Sequence, residues 1–298
     1  METGQPLPAG APPAPPMRCG MPKPSRSTMG ASRVAFRALL LRDLVVLRKS
    51  LSVFIPRTIL QPFLLVFVFL YVFPKIGESV GGGGRAQAEF AAVLVSGVVG
   101  LTIMFQGIQS VALPMVQEFG YTKEIEDRVL APLPVWLVAV EKVVAGAIQG
   151  LFAAIIVFPI AAVVHVRTIS LGLAVHWVVL VTMMPLACVM CGALGLTFGT
   201  RFNPRQVPIL FGVIILPMTF LGGTYYAWMA LAPVKVLGWS WLQTLVLFNP
   251  LIYVTEGFRA ALTNSPHMPL YVIYPVMVGF CALFLWAGIR GFDRRVLS

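Results

Sequence analysis

Charge is what this sequence has least of. Only 11% of its 298 residues are Asp, Glu, Lys or Arg, where a soluble domain carries roughly 25%. Acidic residues number 11 against 22 Lys and Arg, for a net charge of +11, and the apolar set makes up 58%. So few charges cannot cover a water-exposed exterior, which excludes a soluble enzyme, a secreted disulfide scaffold and a disordered chain. Cysteine is scarce as well. Cys188 and Cys191 form a C-x-x-C inside an apolar run, with no second Cys or His pair at ligand spacing. Thiolate chemistry needs polar surroundings, so these two and Cys281 read as small packing residues of membrane helices. No G-x-x-x-x-G-K-[ST] segment exists to cradle phosphates. The glycine run Gly81–Gly84 is not followed by Lys-Ser or Lys-Thr and reads as a flexible connector. Asp occurs only at positions 43, 127 and 293, so no Asp pair is available to hold magnesium. Ser96-Gly97 lacks the rest of a nucleophile elbow and has no neighbouring membrane His. The expectation is a membrane protein that is not an enzyme, binds no metal or cofactor and has no nucleotide site of its own.

What is present is a succession of long apolar runs. Residues 1–30 are proline-rich without an apolar stretch, which predicts a disordered tail rather than a signal peptide; Met17, Met21 and Met29 are candidate alternative starts. Residues 31–298 form the expected membrane domain. From Ser32 to Lys49 apolar residues alternate with Arg33, Arg37, Arg42, Arg48 and Lys49, either as a helix lying at the membrane surface or as a basic lead-in that fixes orientation. A bilayer core takes about 20 apolar residues in a helix. Six stretches qualify, near Pro56–Phe73, Phe90–Leu113, Pro134–Val164, Leu171–Phe198, Pro208–Ala227 and Leu270–Ile289. The weaker region Met229–Leu262 is broken by Pro233, Lys235, Gly238, Asn249 and Pro250, and it reads as re-entrant or interfacial helices, tolerated where protein or water covers them. The predicted fold is therefore all-α, with six transmembrane helices, an N-terminal interfacial helix and re-entrant outer helices between the fifth and sixth spans.

Basic residues concentrate on the cytoplasmic side of membrane proteins. With both termini cytoplasmic, 17 of the 22 Lys and Arg lie inside and five outside, which requires an even number of spans. Lipid, not nucleic acid, is the expected neighbour of these basic residues. The inner loop after the second span holds Glu118, Glu124, Glu126 and Asp127 with Lys123 and Arg128, ahead of Glu141-Lys142. In a chain this sparing of charge, such a cluster is either a solvated turn or a surface offered to a partner, and the partner reading is preferred. In Phe248–Arg259, Asn249 is placed to cap a helix beginning at Pro250. Glu256 and Arg259, three apart, would be neighbours on one face of that helix. Such a pair near the outer face must be satisfied within the protein or face water; it reads as a helix-stabilising pair ahead of a substrate contact.

Together these features resemble the ABC-2 family of ABC-exporter permeases, and most nearly its bacterial drug-resistance and polysaccharide or lipid exporters. The elbow residues Glu118, Glu126, Arg128, Leu130 and Pro132 or Pro134 match the family pattern before the third span. Asn249, Pro250, Leu251, Tyr253, Glu256 and Arg259 match its outer Asn-Pro-Leu motif. Leu216-Pro217 and Phe220-Leu221-Gly222-Gly223 match the end of the fifth span. The resemblance covers roughly residues 33–295. Two departures stand out: the elbow reads Lys123-Glu124-Ile125-Glu126 where Gly-Thr is common, and Tyr225-Tyr226-Ala227-Trp228 leads to Ala232-Pro233 where the family has Phe/Tyr-Pro then Leu-Pro.

The resemblance implies a multi-pass protein of a bacterial inner membrane, with two permease chains, expected to be a homodimer, forming the translocation path. Two separate ATPase subunits would carry ATP and magnesium, engaged through a coupling helix at about Met115–Leu133 (Glu118, Glu124, Glu126, Asp127, Arg128). The rival reading, an ion-coupled secondary carrier needing no ATPase, is disfavoured by the lack of acidic groups or His at mid-membrane positions. A path for a bulky apolar molecule would draw on Met104, Phe105, Met183, Met184, Phe211, Met218 and Phe220, most of which read as packing or lipid-facing residues.

Overall fold

The computed structural model describes residues 28–76, 85–122, 133–165, 175–235 and 240–296. The described chain is helical. Helix α1 (Thr28–Lys49) leads into α2 (Leu51–Lys75), followed by α3 (Arg85–Gln117), α4 (Val135–His165) and α5 (Trp177–Arg201). Then come α6 (Pro204–Phe220), α7 (Trp241–Phe248), α8 (Pro250–Leu262) and α9 (Leu270–Val296). Among the described residues, five helices (α2, α3, α4, α5 and α9) are long and apolar enough to cross a membrane, and α7 and α8 meet at a 96° bend. Backbone groups in hydrocarbon must be satisfied within the segment, and the apolar runs meet that demand by closing into helices.

The fifth expected span differs from its prediction. Its helix runs Pro204–Phe220 instead of Pro208–Ala227, and it passes through 3-10 and π-helical turns on the way. It ends where the chain turns through Leu221–Tyr226, with Gly223 at φ +68°, a left-handed conformation that glycine adopts without a Cβ penalty. The first span begins earlier than predicted, at Leu51, and the last continues to Val296. The Pro-rich residues 1–27 and the Gly81–Gly84 run lie outside the described residues.

Helix α3 is the axis of the bundle, most of its apolar stretch buried, whereas most of α2 and α9 is not. It packs on α4, α5 and α8, while α9 lies along α5, and α1 and α2 lie against α4. The α3–α5 crossing is close because small residues face each other. A Cβ on Gly195 would stand 2.5 Å from the Gly107 carbonyl oxygen, and one on Gly107 would stand 2.7 Å from the Cys191 backbone. With no hydrophobic force between helices in lipid, such backbone proximity is the source of packing energy. Cys188 and Cys191 are free and buried, Cys191 in this seam and Cys188 against Gly150 of α4, in the packing role read from the sequence. Polar side chains are spent on backbone carbonyls: Thr102 donates to Val98 O at 2.8 Å, and Thr197 reaches Phe284 O across the α5–α9 contact at 2.9 Å. Thr182 and Tyr274 add a hydroxyl pair at 2.5 Å across the same helices.

Gly107→Ala is expected to destabilise the bundle by about 1–3 kcal/mol through overpacking. Gly279→Ala, which meets nothing within 4 Å, is expected to be neutral. Detergent melting temperatures of the two variants provide the comparison, and equal melting would discount the α3–α5 seam.

Candidate functional site

Two polar assemblies stand out in this apolar bundle, one at each end. Arg201, Arg290, Arg294 and Arg295 mark the basic end; α8 marks the other.

At the α8 end, Asn249 caps α8, its Oδ1 accepting from Leu251 N at 3.0 Å while Pro250 occupies the first turn. The Asn249 amide also donates to Met218 O at 2.7 Å, tying the cap to the end of α6. Thr255 donates to Gly222 O at 2.7 Å. Glu256 and Arg259 are both fully buried and form an ion pair one helical turn apart. Glu256 Oε1 also accepts from Trp228 N at 2.7 Å, and Oε2 from Met268 N at 2.9 Å. The Arg259 guanidinium donates to Gly223 O at 3.1 Å and Tyr226 O at 3.2 Å. All four polar side chains therefore fasten α8 to the surrounding turns, chiefly the chain from Met218 to Trp228. Water cannot replace these partners, so their geometry is fixed by the fold. The carboxylate faces backbone amides and a guanidinium rather than open space, which favours the stabilising reading of the pair over a substrate contact.

At the basic end, Lys142 on α4 is 5% exposed and donates to Glu118 Oε1 at 2.7 Å and to Asp43 Oδ2 at 3.4 Å. The triad joins α1, the foot of α3 and α4. Glu118 was expected on the acidic elbow surface; the structure buries it in this triad instead. Glu141, counted in the same acidic cluster, is also fully buried. The remaining elbow residues Glu124, Glu126, Asp127 and Arg128 lie outside the described residues. Two aromatic contacts brace the foot of α3: Phe119 packs on Phe292 with ring centroids 5.7 Å apart, and the Arg295 guanidinium lies 4.9 Å from the Phe119 ring centroid.

Beside the triad opens a polar cavity of 490 Å³, lined by Asp43, Arg57, Gln106, Gln109, Glu118 and Lys142 among others. It is continued by a pocket of 90 Å³ reaching Gln61 on α2 and Thr102, midway along α3. Arg57 donates to Gln109 Oε1 at 2.5 Å, and Thr58 to Gln106 Oε1 at 3.5 Å. The groove thus runs from the basic end to the middle of the bundle between α2 and α3, presenting amides, hydroxyls and the guanidinium groups of Arg42 and Arg57 beside the triad. Sequence reasoning missed it. The available signal was four glutamines, Gln61, Gln106, Gln109 and Gln149, interrupting three apolar runs. The sulfur and aromatic residues considered for a path lie elsewhere for the most part: Met104, Met183 and Met184 are buried in the core, and Phe220 is exposed. Phe105 alone of that set lines the smaller polar pocket. No group of three or more His, Cys, Asp or Glu residues with metal-binding geometry occurs among the described residues.

Glu256→Ala is expected to cost about 3–5 kcal/mol, because it strands a buried guanidinium. Glu256→Leu combined with Arg259→Met is expected to recover much of that loss. A double variant that melts no higher than the single would show that the backbone contacts, not the ion pair, carry the stability.

A bundle of membrane-length helices with a polar groove entering from one end suits passage of a molecule across a membrane. The family model described as "ABC-2 type transporter" matches residues 34–263. The chain is also 26% identical over 236 residues to the inner membrane transport permease YadH of Escherichia coli K12, covering 76% of this chain and 84% of that one. The YadH sequences of E. coli O157:H7 and Shigella flexneri match to the same extent. Since the family match takes in every helix from α2 to α8 and most of α1, the chain belongs to the ABC-2 type transporter family.

Proposed function

We propose that this chain is the membrane-spanning permease subunit of an ATP-driven exporter in a bacterial inner membrane, with both termini cytoplasmic. The observation that carries the reading is the polar groove that runs between α2 and α3 from the basic end to mid-bundle. It has the form expected of the inward-facing half of a translocation path. In this reading a substrate enters from the cytoplasmic side and meets Arg57, Gln106 and Gln109. The name of the E. coli relative, an inner membrane transport permease, is consistent with it.

Hydrolysis belongs to a separate ATPase subunit carrying ATP and magnesium. Residues 123–132, between α3 and α4, are the coupling element, with Glu124, Glu126, Asp127 and Arg128 as its charged contacts. The triad of Glu118, Lys142 and Asp43 supports this. Its members flank the elbow on both sides, so a push on the elbow reaches α1, α3 and α4 together rather than bending one loop. A second copy of the chain completes the path. The exposed polar face of α2, with Arg57 and Gln61, is costly against lipid and is relieved by a facing copy or by water.

Co-purification of the full chain from its native membrane is expected to bring an ABC ATPase at roughly equal stoichiometry, with transport-linked hydrolysis lost on Glu126→Arg or Arg128→Glu. Wild-type coupling in both variants would remove the coupling assignment. A chain that purifies alone and transports on a proton gradient would replace this reading with an ion-coupled carrier. Separately, Gln106→Leu with Gln109→Leu is expected to lower export at least tenfold while ATPase binding is retained. Unchanged export would move the path away from the groove.

A further inference from the structure

The basic end carries a second cavity, unconnected with the groove, in which cations outnumber anions. A space of 420 Å³ between the last turns of α5 and α9 is lined by Arg201, Trp286, Arg290, Arg294 and Arg295, with Thr200 at its edge. Basic residues at helix C-termini often do no more than answer the last carbonyls and the helix dipole. Arg295 does that here, donating to Gly199 O at 3.2 Å and Phe202 O at 3.1 Å and pairing with the Asn203 amide oxygen. Arg201, Arg290 and Arg294 are left over. They are exposed and make no ion pair among the described residues; the single acid on α9, Asp293, pairs with none of them.

The surplus arginines are arranged along a gradient. Leu283, Trp286, Arg290 and Arg294 recur at three- and four-residue spacing and so share one face of α9. Leu283 is 51% exposed and Trp286 58% exposed. Along about 16 Å of helix the face passes from aliphatic to indole to guanidinium, and the Arg290 guanidinium lies 4.9 Å from the Trp286 ring centroid. Arg201, the last residue of α5, closes the far side. A soluble anion needs only the guanidinium part of this face. An acidic protein surface needs the arginines but not an aliphatic and indole approach from the bilayer side. A molecule with phosphate at one end and hydrocarbon at the other uses all of it, and basic pockets between membrane helices suit such headgroups.

We propose that this cleft between α5 and α9 binds an anionic phospholipid, its phosphate held by Arg201, Arg290 and Arg294, its glycerol region against Trp286 and its chains along Leu283. A headgroup with two phosphates engages all three guanidinium groups and binds more tightly than one with a single phosphate. The lipid bridges the ends of two helices that the protein itself joins there through Arg295 and Thr197 and through α5–α9 packing.

Native mass spectrometry of the full chain, released from neutral detergent with added cardiolipin, phosphatidylglycerol or phosphatidylcholine, tests this. The expected order of retention is cardiolipin, then phosphatidylglycerol, with phosphatidylcholine weakest. Arg201→Gln, Arg290→Gln and Arg294→Gln together are expected to weaken cardiolipin retention on the order of 100-fold, and the matching Lys substitutions to preserve most of it. Trp286→Ala, which leaves charge and membrane orientation unchanged, is expected to weaken it several-fold. Equal retention by the Gln variant and the parent would overturn the proposal. So would displacement of cardiolipin by millimolar inorganic phosphate, which would make this a free-anion site. If the Gln variant kept its lipid but lost a co-purifying ATPase subunit, the cleft would be a protein-docking surface instead.

Discussion

A buried charge in an apolar bundle has to be answered from within, because neither lipid nor the packed core supplies water. At the α8 end this requirement organises everything around it. Glu256 and Arg259 neutralise each other, but a carboxylate has more acceptor capacity, and a guanidinium more donors, than one pairing uses. Much of that surplus is met by the amides of Trp228 and Met268 and the carbonyls of Gly223 and Tyr226, while Arg259 Nε stays without a partner among the described residues. Those backbone groups belong to turns with little regular structure of their own. The ion pair therefore does for the turns what a sheet or helix ladder does elsewhere, and α8 is the scaffold that presents it. Gly223 at φ +68° lets its carbonyl turn toward the guanidinium.

The basic end obeys the same rule with a different outcome. Lys142 is answered by two carboxylates from two other helices, so the charge that α4 buries also clamps α1 and the foot of α3. A triad on three elements is a joint, and its position directly beside the α3–α4 connection gives that connection mechanical access to the bundle. The polar groove begins at the joint. Buried ion pairs thus occupy the two places where separate elements must be held in register, and glutamines and hydroxyls line the groove that begins at one of them.

Much of this was legible in the sequence where the signal was local. Apolar runs of about 20 residues located five of the six expected spans to within several residues. The Asn249-Pro250 pair announced the start of α8, and three-residue spacing paired Glu256 with Arg259. Non-local partners were not legible. Lys142 and Asp43 are 99 positions apart, and no spacing rule pairs them. Counting acids in one stretch placed Glu118 on a surface when a lysine about two turns into the next helix draws it inside. The end of α6 was misjudged because Leu221-Gly222-Gly223 continues an apolar run while its backbone turns. The groove was missed because single glutamines in three separate runs carry no period; only packing brings them to one wall.

Helix α6 has a consequence of its own. At 17 residues it is about 25 Å long, against a hydrocarbon core of about 30 Å, whereas α2, α5 and α9, at 25, 25 and 27 residues, exceed that thickness. If α6 crosses the bilayer beside them, tilting cannot match it, since tilt shortens its reach further. The lipid would then take up the mismatch, its leaflets drawing together beside the short element. The bilayer around this protein would be uneven, thinnest along α6. A thinner slab is a lower barrier to any amphiphile moving between leaflets, so the flank of α6 would be a place where the surrounding membrane is itself already altered.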